Sequence, residues 1–296
     1  MAVNTVKAVI NGQVYTLTLN GSTGKYETTV TAPSLSSYNQ TGHYFNVQLQ
    51  AADTAGNITT VDSTDSTLGS KLQLVVKEKV APVITITYPT ASATIINNKP
   101  TLAFSVTDAD SGVNPDTIKI TIDGTAITSG ITKTKSSNTY TCSYAPTTAL
   151  ADGEHTIKVD ASDYDGNVAT GKSITFKIDT VPPALSITSP GAGLITNVAT
   201  LVVTGSTNDL TSSPCTVTIN GAAVTVNGDG TFSKSLTLTE GSNTITVVST
   251  DSASKSTTIT RTVTLDTVLP VISAVTITPN PVDSGSTFVI SVSVTD

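Results

Sequence analysis

Apolar and polar residues alternate along most of this chain. In the run TIKVDASDYDGN, Ile157, Val159 and Ala161 alternate with Lys158, Asp160 and Ser162. In TITVVSTDSASK, Ile245, Val247 and Ser249 alternate with Thr246, Val248 and Thr250, one face being less clean. A period of two places each set on its own face of a strand, and the β-branched residues suit a pleated, half-buried surface. Asn11-Gly12, Asp123-Gly124 and Asn220-Gly221 separate such runs and predict two-residue hairpin turns. No amphipathic stretch of period 3.6 is present, so the expectation is an all-β protein.

The pattern also recurs at long range. YFNVQLQAADTAGN, TIKVDASDYDGN and TITVVSTDSASK end alike, with turn acids Asp53, Asp163 and Asp251 spaced 110 and 88 residues apart. A second mark, KVAPVITIT, DTVPPALSIT and DTVLPVISAVTIT, carries Pro82, Pro182 and Pro270, spaced 100 and 88 apart. Two independent marks share one period, which defines a repeat. Short strands, regular turns and about 100 residues per unit predict tandem immunoglobulin-like β-sandwiches in an elongated array, without the Cys–Trp–Cys mark of antibody domains. The units are 1–80, lacking its first two strands; 81–180 and 181–268, both complete; and 269–296, the two-strand start of a further domain.

The D-x-x-G-N turn after a V-x-A strand (Asp53–Asn57 and Asp163–Asn167), together with the D-T-V-P-P linker, resembles the bacterial Ig-like repeats of surface adhesins and of bacteriophage virion proteins. The resemblance covers nearly the whole chain. It implies an Ig-like fold and a virion or cell-surface setting, while Ig-like modules in general host many roles. The third unit has Ser254-Lys255 where Gly-Asn would fall, so its loop is expected to differ in shape.

Composition narrows the function. Lys and Arg number 15 against 22 Asp and Glu, a net charge of -7 with a pI near 4.7, so there is no basic footprint for nucleic acid. Charged residues are 12% of the chain and threonine about a fifth, so hydroxyls must cover the surface. No apolar run of about 18 residues predicts a membrane-spanning helix. The opening MAVNTVKAVINGQ lacks the apolar core of a Sec signal peptide. Zero Trp, two His and no paired carboxylates in a cleft point away from an enzyme. Cys142 and Cys215 fall in different units, which predicts no disulfide within a domain. A non-enzymatic phage virion component that touches host surfaces, with cell-surface carbohydrate as a candidate partner, is the leading expectation, with a spacer of a bacterial surface adhesin as the alternative.

The two ends complement each other. VKAVINGQVY at Val6–Tyr15 aligns with IKITIDGTAI at Ile118–Ile127, so unit one starts at the third strand, and the tail from Leu269 aligns with the first two strands of unit two. Phe288, Ile290, Val292 and Val294 are expected on one face of the last strand, with nothing in their own fragment to cover them. Donating that pair to unit one of another chain would fill both gaps. Such a contact is heterologous and yields a ring or a filament. The acceptor could also be another virion or surface protein, and a boundary cut through a longer array is the remaining alternative.

Candidate chemistry is acidic. The loops after the second and sixth strands of unit two carry Asp108, Asp110, Asp163 and Asp165, and the incoming linker adds Glu78 at the same pole. Five carboxylates at an interdomain joint suit Ca²⁺, although Asp, Asn and Gly also simply make good turns. Unit three offers Asp179, Asn208, Asp209 and Asp251; the tail offers Asp266 and Asp296 with Asp53 of another chain. His43 and His155 are expected in matching places before the sixth strand, and Cys142 and Cys215 as small strand residues. Tyr15, Tyr26, Tyr38, Tyr44, Tyr140 and Tyr144 are expected to pack at cores or rims, an exposed sugar-stacking platform being the alternative.

Overall fold

A computed structural model describes residues 2–296 as an all-β chain. Its contacts divide it into two compact units, Met1–Ile178 and Asp179–Asp296. The first unit contains an incomplete domain and a complete Ig-like sandwich, and the second contains one sandwich followed by a hairpin.

The predicted hairpin turns form where expected. Asn11 and Gly12, Asp123 and Gly124, and Asn220 and Gly221 all have positive φ, with Asn and Asp tolerating the left-handed region that Gly adopts freely. The second domain is a complete sandwich. Strands β7 (Val83–Tyr88), β9 (Leu102–Thr107), β12 (Thr132–Ser136) and β13 (Thr139–Tyr144) form one sheet in the order β12-β13-β9-β7. Strands β8 (Thr94–Ile95), β10 (Val113–Ile122), β11 (Thr125–Ile127), β14 (Gly153–Asp163) and β15 (Lys172–Ile178) form the other, in the order β11-β10-β14-β15-β8. The inward sets meet in one core that includes Leu102, Phe104, Val106, Ile120, Ile157, Val159 and Phe176. The third domain repeats this plan. β16 (Ala184–Ser189), β18 (Thr200–Asn208) and β21 (Thr231–Thr237) face β17 (Leu194–Thr196), β19 (Thr216–Ile219), β20 (Ala222–Val224), β22 (Gly241–Thr250) and β23 (Ser256–Leu265) across a core around Val203, Val217, Phe232 and Val247. The outward faces carry hydroxyl pairs across strands: Thr107 with Thr139, Ser186 with Ser206 and Thr188 with Thr204.

The first domain departs further from a sandwich than the repeat alignment predicts. β1 (Val3–Ile10), β2 (Gln13–Asn20), β3 (Lys25–Glu27), β4 (Phe45–Asp53) and β5 (Ile58–Val61) form a single sheet in the order β3-β2-β1-β4-β5, and β6 (Gln73–Leu74) also pairs with β4. Between β2 and β4 only the three-residue β3 pairs back on the end of β2, and residues 28–44 run as irregular chain with one 3₁₀ turn at Thr41–His43. Among the described residues of this domain there is no second sheet. His43 therefore lies in a turn, whereas His155 lies within β14, so the two do not occupy matching places. The chain closes with a hairpin, β24 (Val271–Thr278) and β25 (Val289–Thr295). Phe288 falls just before β25 rather than on it.

Candidate functional site

Two features outside the cores carry unsatisfied chemistry: an apolar sheet face and two clusters of carboxylates.

The apolar face is built by strand alternation. In the final hairpin, Ile272 pairs with Val294, Val275 with Val292 and Ile277 with Ile290. These six share one face, while Thr276, Ser291 and Ser293 line the other. All six remain exposed, from 44% at Ile277 to 65% at Ile272. The corresponding pair β7–β9 in the second domain sets Ile84 against Val106 and Ile86 against Phe104, and there Phe104 and Val106 are 2% and 0% exposed. The same sequence pattern is thus core in one place and surface in the other. The first domain shows the converse. Ile10 pairs with Val47 and Ala8 with Leu49, as Ile122 pairs with Ile157 and Ile120 with Val159. Ile157 and Val159 are buried, yet Val47 and Leu49 are only partly covered, and Leu19, on the same face, is 58% exposed.

The carboxylates are placed by the turns that end strands. In the second domain Glu78, Asp108 and Asp163 bring oxygens within 4.8 Å of one another. Asp108 Oδ1 accepts the Gly112 amide at 2.7 Å, Glu78 Oε1 accepts the Ser111 amide at 2.7 Å, and Asp163 Oδ1 accepts the Asn167 amide at 2.8 Å. Burial pushes the Glu78 carboxyl up and the nearby Asp108 and Asp110 charges add to that, against the lowering hydrogen bond from Ser111. Asp110 and Asp165 are turned elsewhere: Asp110 Oδ2 accepts the Ser36 amide at 2.9 Å, and Asp165 Oδ2 accepts the Glu78 amide at 3.0 Å. Those two residues tie the first domain and the linker to the second, aided by Tyr38 stacked on Tyr164 with centroids 4.2 Å apart.

The third domain repeats the cluster as Asp179, Asp209 and Asp251, all buried and again within 4.8 Å. Asn208 ends β18 with its side chain exposed and takes no place in it. The Asp251 loop does not differ in shape from its counterparts. The Asp251 amide donates to Lys255 O at 3.0 Å, as Asp53 does to Asn57 and Asp163 to Asn167. Ser254 takes the positive φ that Gly56 and Gly166 take, so the backbone closes identically without Gly-Asn. Only the side-chain bond is lost.

Other predicted residues have structural places. His155 Nδ1 lies 2.7 Å from Asp123 Oδ2 and its Nε2 2.7 Å from Ala151 O. Burial alone would lower its pKa, but these hydrogen bonds and the Asp123 charge outweigh that and raise it. Cys142 is buried in β13, and burial pushes its thiol up. Cys215 precedes β19 rather than lying on a strand. All six singled-out tyrosines are half-buried, Tyr140 and Tyr144 against the second core, so they form no exposed platform. No helix among the described residues is long and apolar enough to cross a membrane.

Comparison with known proteins agrees with this architecture. Residues 89–180 match the bacterial Ig-like domain family, and residues 183–267 match the family of glucodextranase domain B. No curated protein matches the chain. Among solved structures, an I-band fragment of titin is 12% identical with a TM-score of 0.47, covering 89% of this chain and 88% of that one. The fibronectin(III)-like modules of Clostridium thermocellum CbhA are 18% identical with a TM-score of 0.36, covering 62% of this chain and 94% of that one. The chain is an immunoglobulin-like tandem repeat protein whose second domain matches the bacterial Ig-like family.

Proposed function

We propose that this is a non-enzymatic structural and adhesive protein whose chains join head to tail, the β24–β25 hairpin of one completing the open first domain of the next. The observation that carries this reading is a matched pair of faces, the hairpin's exposed and the first domain's only partly covered, with Ala8 and Ile10 buried and Leu19 exposed. The hairpin has an apolar side with the pattern of β7–β9 and nothing against it, while the first domain has the β10–β14 pattern and no opposing sheet. Strand edges that lack partners invite addition, and an isolated amphipathic hairpin has little stability in water. Adding a hairpin supplies ladder hydrogen bonds and an apolar lid together.

The setting that fits is the surface of a bacteriophage particle, where many copies would turn weak host contacts into useful avidity. The D-x-x-G-N turns and D-T-V-P-P linker support it through their resemblance to virion repeats. A spacer in a bacterial surface adhesin is the second reading, favoured by the bacterial Ig-like match at residues 89–180. Immunolabelling of phage lysates against intact cells separates the two.

Light scattering across a concentration series tests the assembly. The expected masses exceed the 30.2 kDa of one chain and either grow or settle at a ring multiple. Removing Leu269–Asp296 is expected to return the chain to a monomer. A full chain that stays monomeric at every concentration overturns the proposal.

A further inference from the structure

The carboxylate clusters of the second and third domains look alike but differ in one bond. In the first domain Asn57 Nδ2 donates to Asp53 Oδ2 at 2.8 Å, and in the second Asn167 Nδ2 donates to Asp163 Oδ2 at 2.7 Å. The third domain has Lys255 at this position, which has no amide to give. The Lys255 backbone amide still holds Asp251 Oδ1 at 2.8 Å, but Asp251 Oδ2 is buried without a partner. Asp179 Oδ2 is also buried without a partner, and Asp179 is 0% exposed. Asp209 uses only Oδ1, which accepts the Thr211 and Ser212 amides at 2.8 and 2.6 Å. Ser212 Oγ nearby is a further buried atom without a partner. Among the described residues no Lys, Arg or His forms an ion pair with any of the three carboxylates.

Buried, unpartnered carboxylate oxygens are costly unless a charge of opposite sign meets them. Two of them converge here beside Asp209, and oxygens of all three residues lie within 4.8 Å of one another, close enough for one ion with bonds of about 2.4 Å to touch all three. An all-oxygen, carboxylate-rich donor set suits Ca²⁺, which tolerates irregular geometry and completes its shell with water. Mg²⁺ demands a tighter octahedron. We infer that Asp179, Asp209 and Asp251 form a Ca²⁺ site in the third domain, opened by the exchange of Asn for Lys255. The equivalent position in the second domain spends the same oxygen on Asn167.

Calorimetric titration of Ca²⁺ into the full chain, with parallel thermal melts, tests this. One ion per chain is expected to bind and to raise the melting temperature, since a ligand of the native state stabilises it. Lys255→Asn restores the amide and is expected to weaken binding by about tenfold or more while the fold is kept. Asp209→Asn, which retains the Oδ1 acceptor for both loop amides, is expected to abolish binding. Asp163→Asn in the second domain is expected to leave it unchanged. No heat and no melting shift at about 10 mM Ca²⁺, well above the range of weak extracellular sites, overturns the site. So does a Lys255→Asn chain that binds as tightly as the original, or binding that survives Asp209→Asn and is lost with Asp163→Asn.

Discussion

Val292 offers the sharpest handle on head-to-tail joining. It lies in the middle of β25, is 49% exposed and pairs with Val275, itself 56% exposed. Its counterpart Phe104 is 2% exposed inside the second domain. Docking would remove the remaining half of the Val292 side chain from water, a gain of about 1 kcal/mol. Val292→Asp forfeits that and places a carboxyl in an apolar interface. Entering neutral requires protonation, which at pH 7 costs about 4 kcal/mol for an ordinary pKa near 3.9. The total of about 5 kcal/mol weakens association by about three to four orders of magnitude. At pH 5 the protonation cost falls to about 1.5 kcal/mol, so about two of those decades return. In the isolated chain Val292 packs only within its own hairpin, so the melting curve at high dilution is expected to reflect a loss of about 1 kcal/mol or less. Sedimentation velocity at both pH values, beside melts of dilute protein, reads all three expectations. If Val292→Asp associates like the unmodified chain, or costs the dilute chain well over about 1 kcal/mol, the reasoning about this face is wrong.

Further outcomes follow from the same geometry. Ile157→Ala, at a site 1% exposed, is expected to cost about 2–5 kcal/mol in chemical denaturation at any protein concentration, whereas Leu49→Ala in the open first domain should cost about 1 kcal/mol when dilute and more once chains associate. The raised pKa of His155 means its contribution is fully present below the ordinary value of 6.5 and is lost as pH climbs through the folded value. Asp123→Asn keeps the turn, since Asn220 holds the same place with its Oδ1 on the Thr246 amide at 2.8 Å, and should flatten that pH dependence in a series of melts. Gly205→Ala would drive a methyl into Ser186 O and the Phe232 ring, and is expected to cost about 3 kcal/mol or to unfold the third domain, as read by near-ultraviolet dichroism.

Much of the architecture is legible in the sequence because alternation and turn chemistry are local. Ile157, Val159 and Ala161 announce the buried face of β14, and Asn220-Gly221 announces the turn between β19 and β20. The short parallel strands Thr94–Ile95 and Leu194–Thr196 are not legible, since two or three residues carry no period and their pairing with β15 and β23 is long-range. The irregular course of residues 28–44 escapes the repeat alignment because that alignment rests on Val6–Tyr15 and on the Asp53 turn, which lie on either side of it. The acidic clusters are legible as a set: chain order places Asp108 and Asp163, or Asp209 and Asp251, at one pole. Which oxygens are already taken is not, because Asp110 and Asp165 differ from their neighbours only in which amide they face. The part of Lys255 in freeing Asp251 Oδ2 emerges only when three loops of the same shape are compared bond by bond.

The cross-strand hydroxyl pairs set the terms on which this protein meets its surroundings. Two ion pairs are present among the described residues, and one of them depends on a protonated histidine. Thr107 with Thr139 and Ser186 with Ser206 hold their strands through neutral dipoles at contact distance, which mobile ions barely screen. A surface stitched this way loses little grip when brackish water replaces fresh.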